Sequence, residues 1–309
     1  MSYQIHHSVP KAVTTWLSIG IVMVFVQVVV GGITRLTDSG LSITEWEIIQ
    51  GTLPPLNLAD WEDAFDAYKV NAKKQYESLH ADMTLSEFKV IFFWEYIHRF
   101  WARMMGLVFI VPFVWFLWKK WIPRWLILRL GVVIALATAA ATFGWIMVAS
   151  GLNDDSRTWV SAYKLIIHLS LATTLLGYLF WTYLLAAQPQ RVDYHFAAQK
   201  RFGVWVTGVL LVQILFGGLM AGMRAGLIHP HFPVFVQGAG FWSIFASSDG
   251  LTLAALNDYE PSLYVKGIVQ LLHRSTAYLL VVLLLVFVVQ LLRRQVSKNC
   301  IMVASLWGG

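Results

Sequence analysis

The chain has 309 residues, of which 58% are hydrophobic and only 13% are charged, with a mean hydropathy of +0.62. This composition is typical of a polytopic membrane protein and excludes a soluble domain built around one core. The net charge of +6 comes without a basic run or a nucleic-acid motif, so no nucleic-acid partner is expected. Cys300 is the single cysteine, which excludes an intrachain disulfide and a cysteine-based metal site.

Six apolar runs are long enough to cross a bilayer. Each contains about 20 residues or more, the length that a hydrocarbon core of ~30 Å requires. A seventh run begins at Cys300 and reaches only Gly309. We therefore expect an all-α polytopic membrane protein with six full transmembrane helices and a partial seventh. The six predicted spans are 14–33, 92–118, 125–149, 165–187, 202–223 and 267–292.

Basic residues in the short connections predict the orientation. Positive charge is retained on the cytoplasmic side, which places the N-terminus inside and the long connections 34–91 and 224–266 outside. The first apolar run has no cleavage site or transit peptide before it, so a bacterial inner (plasma) membrane is expected, with the mitochondrial inner membrane as the alternative. The basic residues are Lys119, Lys120, Arg124, Arg129, Arg191, Lys200, Arg201, Arg293, Arg294 and Lys298.

The long outer connection 34–91 carries its own helical pattern. Trp61, Phe65, Tyr68 and Ala72 recur at helical spacing, which predicts an amphipathic helix lying on the bundle or the membrane interface. Thr84 and Glu87 match a capping box that would start the approach to the second span.

The second span holds four charged or titratable residues: Glu95, His98, Arg99 and Arg103. A charge at the bilayer centre costs roughly 2.5–3.5 kcal/mol on insertion scales, so such residues indicate function. Glu95 and His98 share one helix face, where the imidazole is suited to bind a haem iron and the carboxylate to exchange protons. A purely structural ion pair between Glu95 and Arg99 remains the alternative.

Histidines also occur in two further predicted spans. His98, His168 and His273 all fall in the outer half of the membrane in the predicted topology. Three intramembrane histidines at similar depth favour haem ligation, whereas a lone one would more often be an interhelical hydrogen-bonding residue.

The two halves of the chain show weak internal similarity. The sequence from Gln27 to Gly32 matches that from Gln213 to Gly218, and the His98-Arg99 pair matches His273-Arg274. This predicts two tandem four-helix-bundle repeats, residues 1–190 and 191–309. The counterpart of His168 would fall beyond Gly309, so we expect the second repeat to be incomplete and to lack its last two helices.

These motifs resemble the heme A synthase family, in the form found in mitochondria and proteobacteria. The resemblance covers most of residues 14–292. It rests on the motifs at 31–42 (GGITRLTDSGLS), 87–106 (containing WEYIHRFWARMMG), 144–152 (GWIMVASGL), 163–168 (YKLIIH) and 221–226 (AGMRAG).

The resemblance implies an enzyme that oxidises the C8 methyl group of haem O to a formyl group by successive hydroxylations. The product, haem A, serves cytochrome oxidase. His98 and His168 would ligate or flank the substrate haem O in the first unit, which includes the outer loop 34–91. Glu95 would be the catalytic acid or base, or would stabilise a cationic intermediate. His273 would ligate a haem b cofactor in the second unit.

Arginines near the outer helix ends are suited to pair with haem propionates, or else extend to lipid headgroups. These are Arg35, Arg99, Arg224 and Arg274. The position that matches Glu95 in the second repeat is Gln270. We therefore assign the chemistry to the first unit and cofactor binding to the second.

Two other functions remain open from the residues alone. A bis-histidine haem b cytochrome would transfer electrons without oxidising a substrate, and a transporter would use Glu95 as a proton site. The expected partners are the lipid bilayer, a supplier of haem O, cytochrome oxidase assembly factors and an electron-transfer partner of unknown identity. Homo-oligomerisation is left open.

Overall fold

The computed structural model describes residues 9–44, 53–152, 158–187, 197–231 and 250–293. Within these ranges the regular structure is helical throughout. The chain divides into two compact units, Met1–Arg191 (unit 1) and Val192–Gly309 (unit 2). The predicted seventh segment and the basic residues Arg191, Arg294 and Lys298 lie outside the described residues.

Unit 1 contains six helices and unit 2 contains three, together with a short 3₁₀ turn, in the described ranges. In unit 1 they are α1 (Lys11–Leu36), α2 (Leu58–Asn71), α3 (Lys73–Leu79), α4 (Leu85–Trp118), α5 (Arg124–Leu152) and α6 (Ala162–Ala187). In unit 2 they are α7 (Ala197–Gly222), the 3₁₀ turn Ala225–Leu227, α8 (Leu253–Asn257) and α9 (Leu263–Arg293).

Six of these helices, α1, α4, α5, α6, α7 and α9, are long and apolar enough to cross a membrane. The six predicted spans are thereby confirmed, and the chain is a multi-pass membrane protein. Large apolar side chains such as Phe25, Val111 and Val282 are exposed on these helices. Lipid replaces water as their solvent, so this exposure carries no penalty.

The second span starts earlier than the hydropathy predicts. We expected it at residue 92, preceded by a separate approach segment, but α4 runs unbroken from Leu85. The predicted capping box is present, since the Thr84 side chain accepts from the Glu87 N–H and the Glu87 carboxylate accepts from the Thr84 N–H. At 1.5 Å per residue, α4 is roughly 50 Å long and extends beyond the hydrocarbon core.

A proline inside α4 is compensated by a tryptophan on α1. Pro112 has no N–H to donate to the carbonyl of Val108, one turn earlier. The indole of Trp16 donates to that carbonyl at 2.9 Å. Trp101 makes the reverse connection, donating to the carbonyl of Met23 at 2.9 Å. In the bilayer the indoles and these carbonyls have no water to bond instead, so breaking either bond is costly. The two bonds together fix the position of α1 along α4.

The long helices of unit 1 pack against one another in pairs. α1 packs along α4 and α6, and α5 packs along α6. Among the described residues, α4 makes no extensive backbone contact with α5 or α6. One end of the bundle is closed by a core that includes Trp16, Leu17, Phe116, Leu126 and Leu179.

The predicted amphipathic helix packs against the N-terminal part of α4. Phe65, Tyr68 and Ala72 are buried against Phe88 and Phe92 of α4. The connection holds two helices, α2 and α3, where the pattern predicted one. Together α2 and α3 form a layer that covers the end of the bundle near Glu95.

Unit 2 is built on the pairing of α7 with α9. The 3₁₀ turn that follows α7 contacts both helices. The short helix α8, which the sequence pattern did not predict, begins at a Thr252 cap whose hydroxyl accepts from the Ala255 N–H.

Candidate functional site

His98 lies in a recess of α1 that a glycine creates. A Cβ atom on Gly31 would come within 2.8 Å of the His98 Cε1 atom, a distance that real Cβ contacts do not reach. The Gln27 side-chain amide lies one turn earlier on α1 and contacts His98 Nε2 at 3.2 Å. Gly31 thus makes room for the imidazole, whereas no atom lies within 4 Å of a Cβ built on Gly32.

His168 lies in a second recess of the same kind, on α5. A Cβ atom on Gly144 would come within 3.0 Å of His168 Cε1. His168 Nδ1 lies 2.8 Å from the backbone carbonyl of Ala140. Because a carbonyl oxygen only accepts, Nδ1 must carry the proton, and Nε2 keeps its lone pair.

The two histidines lie on different helices of unit 1. His98 is on α4 and His168 is on α6, and these helices make no extensive backbone contact in the described part of the chain. The imidazoles are near enough to interact electrostatically. Unit 1 therefore brings together the two histidines that the sequence placed in separate spans.

Glu95 points toward the chain that follows α1, and its side chain is 3% exposed. One carboxylate oxygen accepts from the Ser42 hydroxyl at 2.7 Å and from the Ile43 N–H at 2.8 Å. The other accepts from Arg99, which also donates to the Ile43 carbonyl at 2.8 Å. The ion pair proposed as the structural alternative is thus present, within a larger set of contacts that anchors the outer loop.

The same construction recurs in unit 2 with a neutral residue. Gln270 is 3% exposed; it accepts from the His229 N–H at 2.9 Å and donates to the carbonyls of Gly226 and His229. Arg274 donates to the carbonyls of His229 and His231 at 3.2 and 2.8 Å. The loop with two histidines therefore interacts with α9 through its backbone.

His273 repeats the arrangement around His98. A Cβ atom on Gly217 would come within 3.2 Å of His273 Cε1, and the Gln213 amide lies 3.4 Å from His273 Nε2. The contacts of His273 with Gly217 and Gln213 in unit 2 thus match those of His98 with Gly31 and Gln27 in unit 1.

The four predicted propionate-binding arginines have different surroundings. Arg99 and Arg274 anchor outer loops, as described above. Arg35 forms an ion pair with Asp38 at 3.4 Å. Arg224 adopts a left-handed backbone conformation in the turn after α7, and Asp38 does the same in the turn after α1.

Tyr68 connects the outer layer to this region. Its hydroxyl lies 2.5 Å from His80 Nδ1 and 3.3 Å from Gln75 Oε1, and Gln75 donates to the carbonyl of Asp38. Burial, followed by the nearby negative charge of Glu95, raises the pKa of Tyr68 above its usual range. The phenol therefore stays protonated and can donate. Burial also lowers the pKa of His80, which favours its neutral form.

Four residues at these sites had no function predicted from the sequence: Gln27, Gln213, Gly144 and Ser42. Gln27 and Gln213 were noticed only as parts of a repeat. A polar residue inside an otherwise apolar span was the available signal, because side-chain amides in lipid usually have a hydrogen-bonding partner. No sequence signal linked Gly144 to His168 or Ser42 to Glu95.

The described residues fit a haem better than a bare metal ion. They contain no group of three or more His, Cys, Asp or Glu side chains that could hold a metal alone. A porphyrin supplies four of the iron ligands itself, so paired or single histidines suffice. The recesses at Gly31, Gly144 and Gly217, and the Nε2 lone pair that His168 keeps when Nδ1 carries the proton, suit ligation of a haem iron.

Comparison with known proteins identifies a family. The family model described as COX15-CtaA, cytochrome oxidase assembly protein, matches residues 14–307. A heme A synthase of Flavobacterium johnsoniae is 40% identical over 276 residues, which cover 89% of this chain and 78% of the relative. A heme A synthase of Bradyrhizobium sp. (strain ORS 278) is 41% identical over 276 residues, covering 88% of this chain and 72% of the relative.

No solved structure gives a significant match. The family match and the identity to both relatives extend over most of the chain. The chain belongs to the heme A synthase family of cytochrome oxidase assembly proteins.

Proposed function

We propose that this chain is a membrane oxidoreductase that converts the C8 methyl group of haem O to a formyl group, giving haem A. The observation that carries the proposal is the position of Glu95. It is a buried, firmly held carboxylate one helical turn from His98, whose ring fits a recess made by glycine. Family membership supports the reaction class.

His98 and His168 flank the substrate in this proposal. Each ring is held in place from the side away from the interior, His98 by α1 and His168 by α5. The imidazoles fix the plane and depth of the bound porphyrin. Holding the substrate in one orientation presents a single methyl group to the reactive position, which is a main source of rate and of regioselectivity.

Glu95 stabilises positive charge that develops as electron density leaves the methyl carbon. Three donors hold the carboxylate, from Ser42, Ile43 and Arg99, so it need not reorganise during the reaction. A carboxylate offers about four acceptor positions, so one remains for a proton or for a developing hydroxyl. Fixed charges in a site without water act more strongly than they would in solution.

His273 is the proposed ligand of a haem b cofactor in unit 2. When bound, haem b supplies an iron centre that can accept electrons one at a time. Gly217 provides room for the imidazole, and Gln213 contacts its Nε2 atom. Gln270 and Arg274 keep the loop above it closed through backbone contacts. Arg35, Arg99, Arg224 and Arg274 are the proposed partners of haem propionates.

The proposed setting is a bacterial inner membrane with the N-terminus in the cytoplasm. The curated relatives are bacterial, and the basic connections fit this orientation. The proposed partners are the enzyme that supplies haem O and the factors that assemble cytochrome oxidase.

The direct test is to coexpress the chain with a source of haem O and to analyse the extracted haems by chromatography and mass spectrometry. We expect hydroxymethyl and formyl haem from the wild type and neither from Glu95→Ala. The Flavobacterium johnsoniae relative serves as the positive control for haem O supply.

The outcome separates the competing functions. If only haem b is recovered, and its amount is unchanged in Glu95→Ala, the proposal is wrong and the result favours an electron-transfer cytochrome. A chain that binds no haem while the control relative makes haem A would contradict both haem-based functions.

A further inference from the structure

We propose that Arg129 and two aromatic rings of α6 form a binding site for the phosphate group of an anionic phospholipid. The site lies at the inner end of unit 1, where α4 ends at Trp118 and α5 begins at Arg124. It shares no residue with the proposed haem sites, which lie toward the opposite end of the same helices.

The Arg129 side chain is held against α6 by two rings. Its guanidinium carbon lies 4.1 Å from the centre of the Trp181 ring and 5.0 Å from the centre of the Tyr178 ring. The ring centres are 5.9 Å apart and the rings are nearly perpendicular, at 88°. Because these residues are three apart on α6, they share one face of the helix and form a corner that fixes the position of the guanidinium.

The positive charge of Arg129 is only partly compensated by these contacts. The Nε and Nη2 atoms are covered by neighbouring side chains and have no hydrogen-bonding partner, whereas Nη1 is not covered in this way. A cation–π contact offsets only part of the free energy that desolvation of a guanidinium costs. An anion that accepts from Nη1 would therefore be bound favourably.

The sequence places no acidic residue near this end of unit 1. No residue from 96 to 153 or from 156 to 191 is Asp or Glu, and no ion pair in the described part of the chain includes Arg129. Lys119, Lys120 and Arg124 add further positive charge between α4 and α5. The compensating anion must therefore come from outside the protein.

The depth of the site favours a lipid phosphate over an ion from the aqueous phase. Arg129 is five residues from the start of α5, and Trp181 is six residues from the end of α6, so both lie roughly 8–9 Å inside the helix ends. The polar headgroup layer is roughly 5–8 Å thick on each side of the membrane. Trp181 is 52% exposed, and tryptophan is enriched at this level. Basic pockets between helices on the cytoplasmic side bind anionic headgroups.

The experiment measures lipid binding to the purified full chain in detergent by native mass spectrometry. The probe is dioleoyl phosphatidylglycerol, with zwitterionic dioleoyl phosphatidylcholine as the reference. We expect the wild type to bind phosphatidylglycerol more tightly and Arg129→Gln to lose about tenfold or more of that affinity, because a charge-assisted hydrogen bond is lost together with the charge. Arg124→Gln and Lys120→Gln remove the same charge from the same end and should lose about fivefold at most.

Trp181→Leu separates a built site from a general surface charge. This variant keeps every charged residue, so attraction to the surface alone predicts no change in phosphatidylglycerol binding. We expect weaker binding, since the guanidinium loses the ring that holds it. Phosphatidylcholine binding should not change, and circular dichroism reports the helix content of each variant.

The inference is overturned if Arg129→Gln and Arg124→Gln lose equal affinity, or if Trp181→Leu binds phosphatidylglycerol as the wild type does. Displacement of the lipid by an excess of inorganic phosphate would also contradict it, because the site would then take the free ion. If Arg129→Gln does not fold, Trp181→Leu still decides between the two explanations.

Discussion

Gln270 makes in unit 2 the backbone contact that Glu95 makes in unit 1. Each side chain accepts an N–H from the loop that follows its partner helix, Ile43 for Glu95 and His229 for Gln270. The arginine four residues later donates to the carbonyl of the same loop residue in both units. An amide therefore suffices to anchor the loop in unit 2, whereas in unit 1 the carboxylate of Glu95 also accepts from Arg99.

Glu95→Gln should separate anchoring from chemistry. The amide oxygen can still accept from Ser42 and Ile43, and Arg99 keeps its bond to the Ile43 carbonyl although it loses its partner on residue 95. We therefore expect the variant to fold and to keep bound haem. Loss of the charge should lower formation of hydroxymethyl and formyl haem by about 100-fold, the usual effect of removing one electrostatic stabiliser of a transition state. Extracted haems, normalised to the amount of folded protein, provide the measurement.

Gln270→Glu is the reciprocal control for this variant. It introduces a charge at the equivalent position in unit 2, where no chemistry is proposed. We expect haem oxidation to change far less than in Glu95→Gln. Equal losses in the two variants would mean that both positions act only through their loops.

Gly31→Ala should displace His98, because the added methyl group would lie 2.8 Å from the ring. Overpacking of this kind costs about 1–3 kcal/mol. We expect a lower thermal unfolding temperature and weaker haem retention. Gly32→Ala is the matched control, since no atom lies within 4 Å of its added Cβ and alanine favours a helix by about 1 kcal/mol. A loss of haem in both variants would contradict the interpretation that Gly31 makes room for the His98 ring.

Ser42→Ala should impair Glu95 without removing it. The serine hydroxyl donates to the carboxylate at 2.7 Å in a buried setting, and a hydrogen bond to a charged group contributes about 1.5–3 kcal/mol. If half of that free energy acts on the transition state, the rate of haem oxidation falls by about 4- to 13-fold.

Ser18→Ala is the comparison for Ser42→Ala, because the Ser18 hydroxyl donates within its own helix, to the Thr15 carbonyl. Initial rates of product formation in isolated membranes provide the measurement. A normal rate in Ser42→Ala would mean that the backbone N–H of Ile43 and Arg99 hold the carboxylate sufficiently well.

The outer layer formed by α2 and α3 should become less stable in acid. Burial lowers the pKa of His80 below the value of about 6.5 that it has in the unfolded chain. The unfolded chain therefore binds more protons as the pH falls below about 6.5, and stability decreases toward the folded pKa. Above about pH 6.5 the neutral His80 side chain makes its full contribution to the stability of this layer.

Hydrogen–deuterium exchange of residues 58–79, corrected for intrinsic rates, should thus be faster at about pH 5.5 than at about pH 7.5. His80→Gln should flatten this dependence, because the amide keeps a hydrogen-bonding partner for Tyr68 but does not titrate. An unaltered pH dependence in that variant would assign the effect to another group.

Much of the fold follows from local pattern. The six spans follow from hydrophobic length, the face of α2 from the spacing of Phe65, Tyr68 and Ala72, and the start of α4 from the Thr84–Glu87 capping box. These features depend on residues within one or two helical turns. Hydropathy alone places the start of this span too late, at residue 92, because it finds the part of a helix that lies in lipid and not the part beyond it.

The candidate site was predictable only in part. Intramembrane Glu95, His98, His168 and His273 stand out because their insertion into lipid is costly. Their partners do not stand out, since Gly31 and Gly144 are ordinary residues for membrane helices.

The sequence by itself determined that this is a helical membrane protein of the heme A synthase type, with titratable residues inside its membrane spans. The tertiary structure decided which way those residues face: His98 toward Gln27 and Gly31, and Glu95 toward Ser42 and Ile43. Such contacts join residues far apart in the chain. They depend on the rotation and register of packed helices, which hydrophobic periodicity alone does not specify.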